Sequence, residues 1–288
     1  MSELRALLAR HCREAVTATP IPRLTLMRSN TTTQRTPALS HPQLCLIAAG
    51  RKRVYLGAQS FYYDASTYLV TSVDLPVSGQ VVQAPYLGLS LAIDRATVAE
   101  LVSAVPDSGE EFRPVQALTV TSLNPKLHDA MVRLVGLLEV PGDIPALAPL
   151  FEREILYHLL HGPHGEMLRQ LAAPAGQLSQ IRRAIAWLHR HYDRPMQVAE
   201  LARIAGMSAP TFHRHFRAVA NMSPLQFHKR IRLQEARRRL LEGNPGAANV
   251  AFDLGYESAS QFSREYRRMF GAPPARDAMD ARRAPAVR

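Results

Sequence analysis

The 288-residue sequence contains few cysteines and no long apolar run. Its two cysteines, Cys12 and Cys45, are too few for a disulfide framework or a four-thiolate zinc site. The longest apolar stretches, such as residues 44–49, are much shorter than a bilayer-spanning helix, and residues 1–4 do not begin a signal peptide. We therefore predict a cytoplasmic protein without a membrane-spanning segment.

Charge is distributed very unevenly along the chain. Residues 1–175 hold 15 basic and 15 acidic side chains, whereas residues 176–288 hold 20 and 9, so the C-terminal part carries the whole net charge of +11. Nineteen of these 20 basic residues are arginines, which suit bidentate contacts to phosphate and guanine. The asymmetry favours a polyanion as partner of the C-terminal part; a basic face kept for solubility is the alternative on charge alone.

Turn signals divide the N-terminal half into short strands. Six strands are predicted, at residues 44–48, 51–57, 59–63, 68–73, 78–83 and 87–93. This spacing is typical of an antiparallel sandwich or a small barrel. Helical periodicity begins after Pro125, and residues 141–149 are a predicted loop. We place the domain boundary at residues 172–176, where alanine and proline coincide with the charge step.

The helical C-terminal part contains an internal repeat. Residues of the first copy recur 49 or 50 positions later, pairing Leu201 with Val250, Ala202 with Ala251, Gly206 with Gly255, Ser208 with Ser258, Phe212 with Phe262, Arg214 with Arg264, Phe216 with Tyr266 and Arg217 with Arg267. Each copy predicts a helix-turn-helix: the alanine lets two helices cross, the glycine ends the first and the serine caps the second. The aromatic residues bury one face of the second helix and leave its arginine free for a DNA major groove.

A predicted helix at residues 225–241 joins the two copies. A helix of ~17 residues spans about 25 Å at 1.5 Å per residue. We expect a rod of this length to set the two recognition helices roughly one DNA turn, ~34 Å, apart on one side of the duplex.

Residues 178–276 resemble the AraC/XylS-type DNA-binding domain, in which a long helix joins two helix-turn-helix units. The motifs that carry the resemblance lie at residues 201–208, 212–216, 223–227, 231–233, 250–258, 261–271 and 274. Seven further segments are similar to the N-terminal domain of one subgroup of that family, at residues 41–45, 49–57, 63–64, 68–70, 73–77, 85–87 and 162–165. The resemblance implies a bacterial transcription regulator whose N-terminal domain is a cupin-like β-barrel followed by helices.

The predicted fold class is α+β: an N-terminal antiparallel cupin-like β-barrel with flanking helices, then an all-α domain with two helix-turn-helix units. We expect a sensing or dimerising domain at residues 1–171, the DNA-binding domain at residues 178–276 and a flexible basic tail at residues 277–288. The predicted partners are double-stranded promoter DNA, a small-molecule effector, a second copy of the chain and, for an activator, RNA polymerase. A membrane and a cofactor are not among them.

The resemblance implies that Pro210, His213 and Arg214 contact DNA bases, and the helical pattern places the other predicted contacts on the outward faces of the two recognition helices, with a phosphate contact as the alternative for Arg264. The predicted base contacts are Pro210, His213, Arg214, Ala259, Ser260, Ser263 and Arg264. The predicted phosphate contacts are Ser208, Arg217, Ser258, Gln261, Arg267 and Arg268. Arginine can donate two hydrogen bonds to guanine O6 and N7, and histidine can donate or accept at a base edge. The aromatic residues Phe212, Phe216, Phe262, Tyr266 and Phe270 are predicted to be core.

Two other functions stay open. A cupin-type small-molecule enzyme fused to a DNA-binding module would need a metal-ligand cluster such as His-x-His, but His41 is the only histidine between residues 40 and 100. A basic scaffold without sequence preference would leave no footprint on a promoter. Serine-nucleophile and P-loop patterns are absent. We predict no catalytic or metal-binding residue, and we expect Cys45 to be a buried small apolar residue.

Overall fold

The N-terminal unit is built around one eight-stranded antiparallel sheet. A computed structural model describes residues 2–104, 116–173, 176–242 and 246–283, and the chain divides into two units, Met1–Ser179 and Gln180–Arg288. The strands are β1 (Val16–Ala18), β2 (Leu24–Ser29), β3 (Thr36–Ser40), β4 (Gln43–Leu56), β5 (Gln59–Asp64), β6 (Thr67–Thr71), β7 (Leu75–Ala92) and β8 (Leu118–Ser122). Their order is β1-β2-β7-β4-β6-β8, with β3 paired to β7 and β5 paired to β4.

The two long strands β4 and β7 connect the two halves of this sheet. β6 pairs with the beginning of β4 and β5 with its end, while β7 pairs with β4 in both halves. The β4–β7 register shifts between Ile47 and Lys52, where Gly50 has a φ of 81°. A Cβ at Gly50 would lie 2.5 Å from the Gln83 carbonyl oxygen, so only glycine fits there. Bulges of this kind bend strands.

Two predicted strand boundaries are wrong. Glycine and proline predict a strand end, but β4 continues through Gly50 as a bulge, and β7 continues through Pro85, which follows a cis peptide bond. The turn signals also do not predict β1, β2, β3 and β8. β1, β3 and β8 bury at most one residue each and β2 buries two, so their pairing depends on the neighbouring strands more than on a buried face of their own.

In the described residues of this unit, five α-helices accompany the sheet: α1 (Ser2–His11), α2 (Arg95–Ala104), α3 (Pro125–Gly136), α4 (Ile144–Leu160) and α5 (Gly165–Ala172). α1 packs on β4 and β7, and Asn124 caps α3 by accepting a hydrogen bond from the Leu127 N–H at 2.8 Å. The predicted loop at residues 141–149 is wrong beyond residue 143, because α4 already begins at Ile144. Pro145 is compatible with this start, since a backbone N–H in the first turn has no helical partner.

The C-terminal unit is helical throughout its described part. Its helices are α6 (Gln177–Arg190), α7 (Val198–Ala205), α8 (Ala209–Ala220), α9 (Pro224–Glu242), α10 (Ala247–Asp253), α11 (Ala259–Phe270) and α12 (Pro274–Arg283). An antiparallel sheet followed by a helical unit confirms the predicted fold class. The units divide after Ser179, a few residues beyond the predicted boundary.

The predicted flexible tail from residue 277 is wrong as far as residue 283, because α12 occupies that segment. Asp277 accepts hydrogen bonds from Arg237 Nε at 2.8 Å and from the Tyr266 hydroxyl at 2.7 Å, and Ala278 is buried in the core. The segment has little apolar periodicity, so its helical structure depends on these tertiary contacts. The last five predicted tail residues, 284–288, lie outside the described residues.

No single helix in the described ranges is both long and apolar enough to cross a membrane. The adjoining segments Pro125–Glu139 and Pro141–Leu160 reach that length only together, and the chain bends by 116° between them.

Candidate nucleic-acid interface

The first helix-turn-helix consists of α7, the turn at Gly206 and α8. Gly206 ends α7 with a φ of 68°, in the left-handed region that glycine adopts readily. Ser208 then caps α8 by accepting a hydrogen bond from the Thr211 N–H at 3.4 Å. Phe212 and Phe216 are fully buried, with ring centroids 5.4 Å apart, so they fix which face of α8 points to solvent.

The second helix-turn-helix, α10 and α11, repeats this construction. Gly255 has a φ of 74°, and Ser258 caps α11 by accepting from the Gln261 N–H. Phe262 and Tyr266 are fully buried, at the positions equivalent to Phe212 and Phe216. The predicted core is therefore confirmed for these four aromatic residues, while Phe270 is only half-buried and packs at the edge of the core cluster.

The connecting helix α9 packs against both helix-turn-helix motifs. Near its beginning, Phe227 is fully buried and packs edge-on against Phe216 of α8 at 5.4 Å between centroids. Farther along, Leu233 and Ala236 lie in the core cluster that also contains Phe262 of α11. Nineteen helical residues make α9 about 28 Å long at 1.5 Å per residue. Because opposite ends of one helix contact the two recognition helices, their mutual placement is fixed by side-chain packing.

Most predicted DNA contacts lie on the solvent side of α8 and α11. The exposed ones are Ser208, Pro210, His213, Arg214, Arg217, Ser258, Ser260, Gln261, Arg264, Arg267 and Arg268. The two others, Ala259 and Ser263, are half-buried. The structure therefore places the predicted contacts of each recognition helix together on one face of that helix. On α11, Ala259 and Ser263 are less exposed than the other predicted contacts.

Two groups of arginines in this unit differ in whether they have hydrogen-bond partners. On α9, Arg237 pairs with Asp277 at 2.8 Å, while Arg238 and Arg239 pair with Glu235 at 2.7 and 2.8 Å. On the recognition helices, no carboxylate or other hydrogen-bond partner is found for an arginine within the described ranges. These unpaired arginines are Arg214, Arg217, Arg264, Arg267 and Arg268. The five arginines of α8 and α11 are thus available to a polyanion, as are the exposed Arg194 and Arg203, for which no ion pair is found in the described part of the chain.

Two contacts around the helix-turn-helix motifs are not predicted from the sequence. Arg183 of α6 donates from Nε to the Ile204 carbonyl and from a terminal nitrogen to the Ala205 carbonyl, both at 3.3 Å, and so stabilises the C-terminal end of α7. Glu265 accepts from Lys229 Nζ at 2.6 Å and from the Gln261 amide at 3.4 Å. Lys229 is therefore neutralised, although sequence alone places it among the available cations. Only the spatial neighbourhood reveals both contacts.

Burial keeps several imidazoles of this unit neutral. Desolvation lowers the pKa of half-buried His215, and the adjacent Arg214 charge lowers it further. Desolvation also lowers the pKa of His228, with a second contribution from Arg232. Arg232 stacks on the Tyr256 ring at 4.3 Å, inside the unit rather than on the recognition face. His215 and His228 therefore add no positive charge near neutral pH.

The described part of the N-terminal unit contains no cluster of metal-ligating side chains. No three His, Cys, Asp or Glu side chains lie together in a way that could hold a metal ion there. Burial raises the pKa of the Cys45 thiol to about 11, so this thiol is protonated at neutral pH. His164 is also buried; its Nδ1 lies 3.3 Å from the Tyr68 hydroxyl, and desolvation lowers its pKa to about 4.

Two family models match this chain. The N-terminal domain of AraC-type transcriptional regulators matches residues 20–167, and a helix-turn-helix domain model matches residues 201–278. The chain belongs to the AraC family of transcriptional regulators. The resemblance on which the sequence-based interpretation rests is thereby confirmed.

Curated relatives of this AraC-family chain are themselves described as regulators. A putative AraC-like transcription regulator of Streptomyces lividans is 36% identical over 119 residues, which are 41% of this chain and 38% of the relative. The HTH-type transcriptional regulator ExsA of Pseudomonas aeruginosa is 29% identical over 165 residues, 57% of this chain and 58% of the relative. The chain thus spans about two fifths to three fifths of the length of these relatives.

Solved structures of ToxT from Vibrio cholerae share the fold of the AraC-family chain. An apo form of a ToxT variant with one substitution superposes with a TM-score of 0.56 at 10% identity and covers 89% of this chain and 97% of ToxT. A wild-type form with bound unsaturated fatty acid superposes with a TM-score of 0.54 at 12% identity and covers 89% and 94%. At this identity the likeness concerns the fold alone.

Proposed function

We propose that this chain is a sequence-specific DNA-binding transcription regulator. The observation that supports the proposal most directly is the pair of equivalent helices α8 and α11, whose five exposed arginines have no acidic partner in the described part of the chain. Both helices pack on α9 as one body. Two equivalent cationic helices that pack on one connecting helix can enter successive major grooves of a duplex.

Different side chains of the two helices take different roles in this proposal. Arg214 donates two hydrogen bonds to a guanine and His213 contacts a neighbouring base edge, with Arg264 in the equivalent place on α11. The other base-contacting positions are Pro210, Ala259, Ser260 and Ser263. Phosphate contacts come from Ser208, Arg217, Ser258, Gln261, Arg267 and Arg268. The two serines stand at helix N-termini, where free backbone N–H groups and the helix dipole favour a phosphate.

The N-terminal unit is the regulatory part in this proposal. The AraC-type N-terminal family match and the ToxT fold, one form of which was solved with an unsaturated fatty acid, support a small-molecule effector for this unit. We also propose that the protein acts in the cytoplasm without enzymatic activity, and that a second copy of the chain or RNA polymerase joins it on promoter DNA.

Selection of bound duplexes from a random-sequence pool tests the function with the full chain. We expect one enriched sequence motif, and binding that weakens steeply as salt rises because phosphate contacts release counterions. Arg238→Ala is the matched control, since Arg238 is already paired with Glu235 and should select the same motif. Binding without any enriched motif would support a non-specific basic scaffold instead.

A further inference from the structure

One face of the N-terminal sheet carries polar groups that DNA binding does not use. Lys52 of β4 lies opposite Tyr63 of β5 and Val81 of β7 in the strand register. Its side chain passes over Gly79, where a Cβ would lie 3.1 Å from Lys52 Cε. Cys45 lies near enough for its charge and that of Lys52 to affect each other's pKa. Lys52 therefore lies on the face of the sheet where its register partners Tyr63 and Val81 are buried, which we call the inner face.

Lys52 differs from its neighbours on β4 in having no charge partner. Arg51 pairs with Asp64 at 2.9 Å, and Arg53 donates to the Ser60 hydroxyl at 3.0 Å. For the Lys52 ammonium, no carboxylate or hydrogen-bond acceptor is found within the described ranges, and the centroid of the Tyr86 ring lies 5.8 Å away. Desolvation lowers the pKa of Lys52. Lys52 is half-buried, and withdrawing a cation from water without a partner costs free energy that an anion beside it would offset.

A second donor lies close to Lys52. Tyr86 is 3% exposed; its hydroxyl interacts with the Tyr63 hydroxyl as an acceptor, and no acceptor for its own O–H lies in hydrogen-bonding geometry among the described residues. The Tyr86 hydroxyl sits over Gly88, where a Cβ would lie 2.5 Å from it, so Gly88 leaves the space that this side chain occupies. An ammonium has three donors and no acceptor, and a phenol donates one hydrogen bond. The two groups together are complementary to a ligand rich in acceptor oxygens.

The side chains around Lys52 and Tyr86 indicate the net charge of the ligand and the polarity of the rest of it. Val54 and Val81 are buried beside Lys52 on the inner face, and the Cys45 thiol is protonated. One cation among apolar side chains matches one negative charge better than a phosphate dianion, which would keep an unpaired charge. A carboxylate attached to an apolar body has this chemistry.

We propose that the N-terminal sheet binds a small organic monoanion whose carboxylate pairs with Lys52 and accepts a hydrogen bond from Tyr86. The proposal rests on the effector role of the N-terminal unit and names the class of effector. Lys52 is a binding residue in it, and Gly79 and Gly88 leave room for the two donors.

Calorimetric titration of the full chain with matched acids and amides tests this assignment. The probes are benzoate and octanoate, with benzamide and octanamide as neutral isosteres. We expect at least one carboxylate to bind and its amide to bind at least about tenfold more weakly, because charge-assisted hydrogen bonds are lost. Lys52→Met should weaken carboxylate binding by a similar factor, whereas Lys126→Met, which removes an exposed lysine of α3, should not.

Thermal unfolding without ligand provides an independent reading. Lys52→Met should unfold at the same temperature as the wild type or higher, because it removes a half-buried cation that has no carboxylate partner in the described part of the chain. Three outcomes overturn the proposal: equal affinity for acid and amide, unchanged carboxylate affinity in Lys52→Met, or no binding of either carboxylate at millimolar concentration. A chain that selects a DNA motif but binds no carboxylate contradicts this inference alone. A chain that binds carboxylate but selects no motif contradicts the proposed function.

Discussion

At the scale of single residues, salt-bridge partners separate two kinds of arginine. An arginine already held by a carboxylate must lose that partner before it can contact DNA, so Arg237, Arg238 and Arg239 are poor DNA ligands. The repeat in the sequence correctly places Arg214 and Arg264 on exposed helix faces. It could not predict the Arg237–Asp277 pair, because Asp277 lies 40 residues further along the chain and reaches Arg237 only through tertiary packing, whereas Glu235 pairs with Arg238 and Arg239 of its own helix.

Arg214→Ala should weaken binding to a selected DNA site by about 1–3 kcal/mol and relax the base preference at one position, because a bidentate guanine contact is lost. Competition binding against single-base variants of the site measures both effects. Arg238→Ala serves as the control, and its affinity should be unchanged. An equal loss on every sequence would make Arg214 a phosphate contact.

His164 should make the N-terminal unit less stable in mild acid. Its pKa is lowered to about 4 in the folded protein, below the ordinary value of 6.5, so between these pH values the unfolded chain binds a proton that the folded chain does not. Stability should therefore fall as pH drops from 6.5 to 4, by about 3 kcal/mol at most. Hydrogen exchange of the sheet amides measures it, and His164→Asn should show a shallower pH dependence. Identical pH profiles would contradict the assignment.

At the scale of elements, the two turns are alike in conformation but not in surroundings. Gly206 and Gly255 both have positive φ, yet a Cβ at Gly255 would lie 2.4 Å from the Asp193 carbonyl oxygen, while at Gly206 the nearest atom is 3.8 Å away. The sequence predicts both turns from glycine in a repeated context. It does not indicate that the turn at Gly255 lies in close contact with the backbone at Asp193, after α6.

Gly206→Ala should lower the free energy of unfolding by about 1–2 kcal/mol, the usual cost of a left-handed alanine. Gly255→Ala should cost clearly more, because backbone must also move away from the new methyl group. Chemical denaturation followed by the fluorescence of Trp187 compares the two variants. Equal losses would show that the Asp193 contact relaxes freely.

Helix α12 should depend on Asp277. Asp277→Ala removes the acceptor of both Arg237 and Tyr266, and should destabilise the C-terminal unit by about 1–3 kcal/mol. Asp280→Ala is the matched control on the same helix, since the Arg276–Asp280 pair is exposed and such pairs contribute little. Equal thermal stability of both variants would mean that α12 is held by its apolar contacts alone.

At the scale of the whole molecule, the internal repeat and the charge distribution predict the architecture better than local turn signals do. The charge step and the duplicated motif indicate a DNA-binding C-terminal part, and the predicted connecting helix at residues 225–241 agrees with α9 to within one residue at each end, whereas α12 is not predicted. The sheet is predicted less well because Gly50 and Pro85 interrupt the pattern without ending β4 or β7. Lys52 is also missed, since a lysine between two arginines on a strand suggests a solvated face until the bend in the sheet is known.

The most direct test of the central claim is dimethyl sulfate footprinting of the full chain on a selected site, which reports guanine N7 in the major groove. Two groups of protected guanines should appear about one helical turn apart, roughly 10 bp, on one side of the duplex. Arg214→Ala should remove protection in one group and Arg264→Ala in the other. A single protected group, or two groups on opposite sides of the duplex, would contradict the two-helix mode of binding.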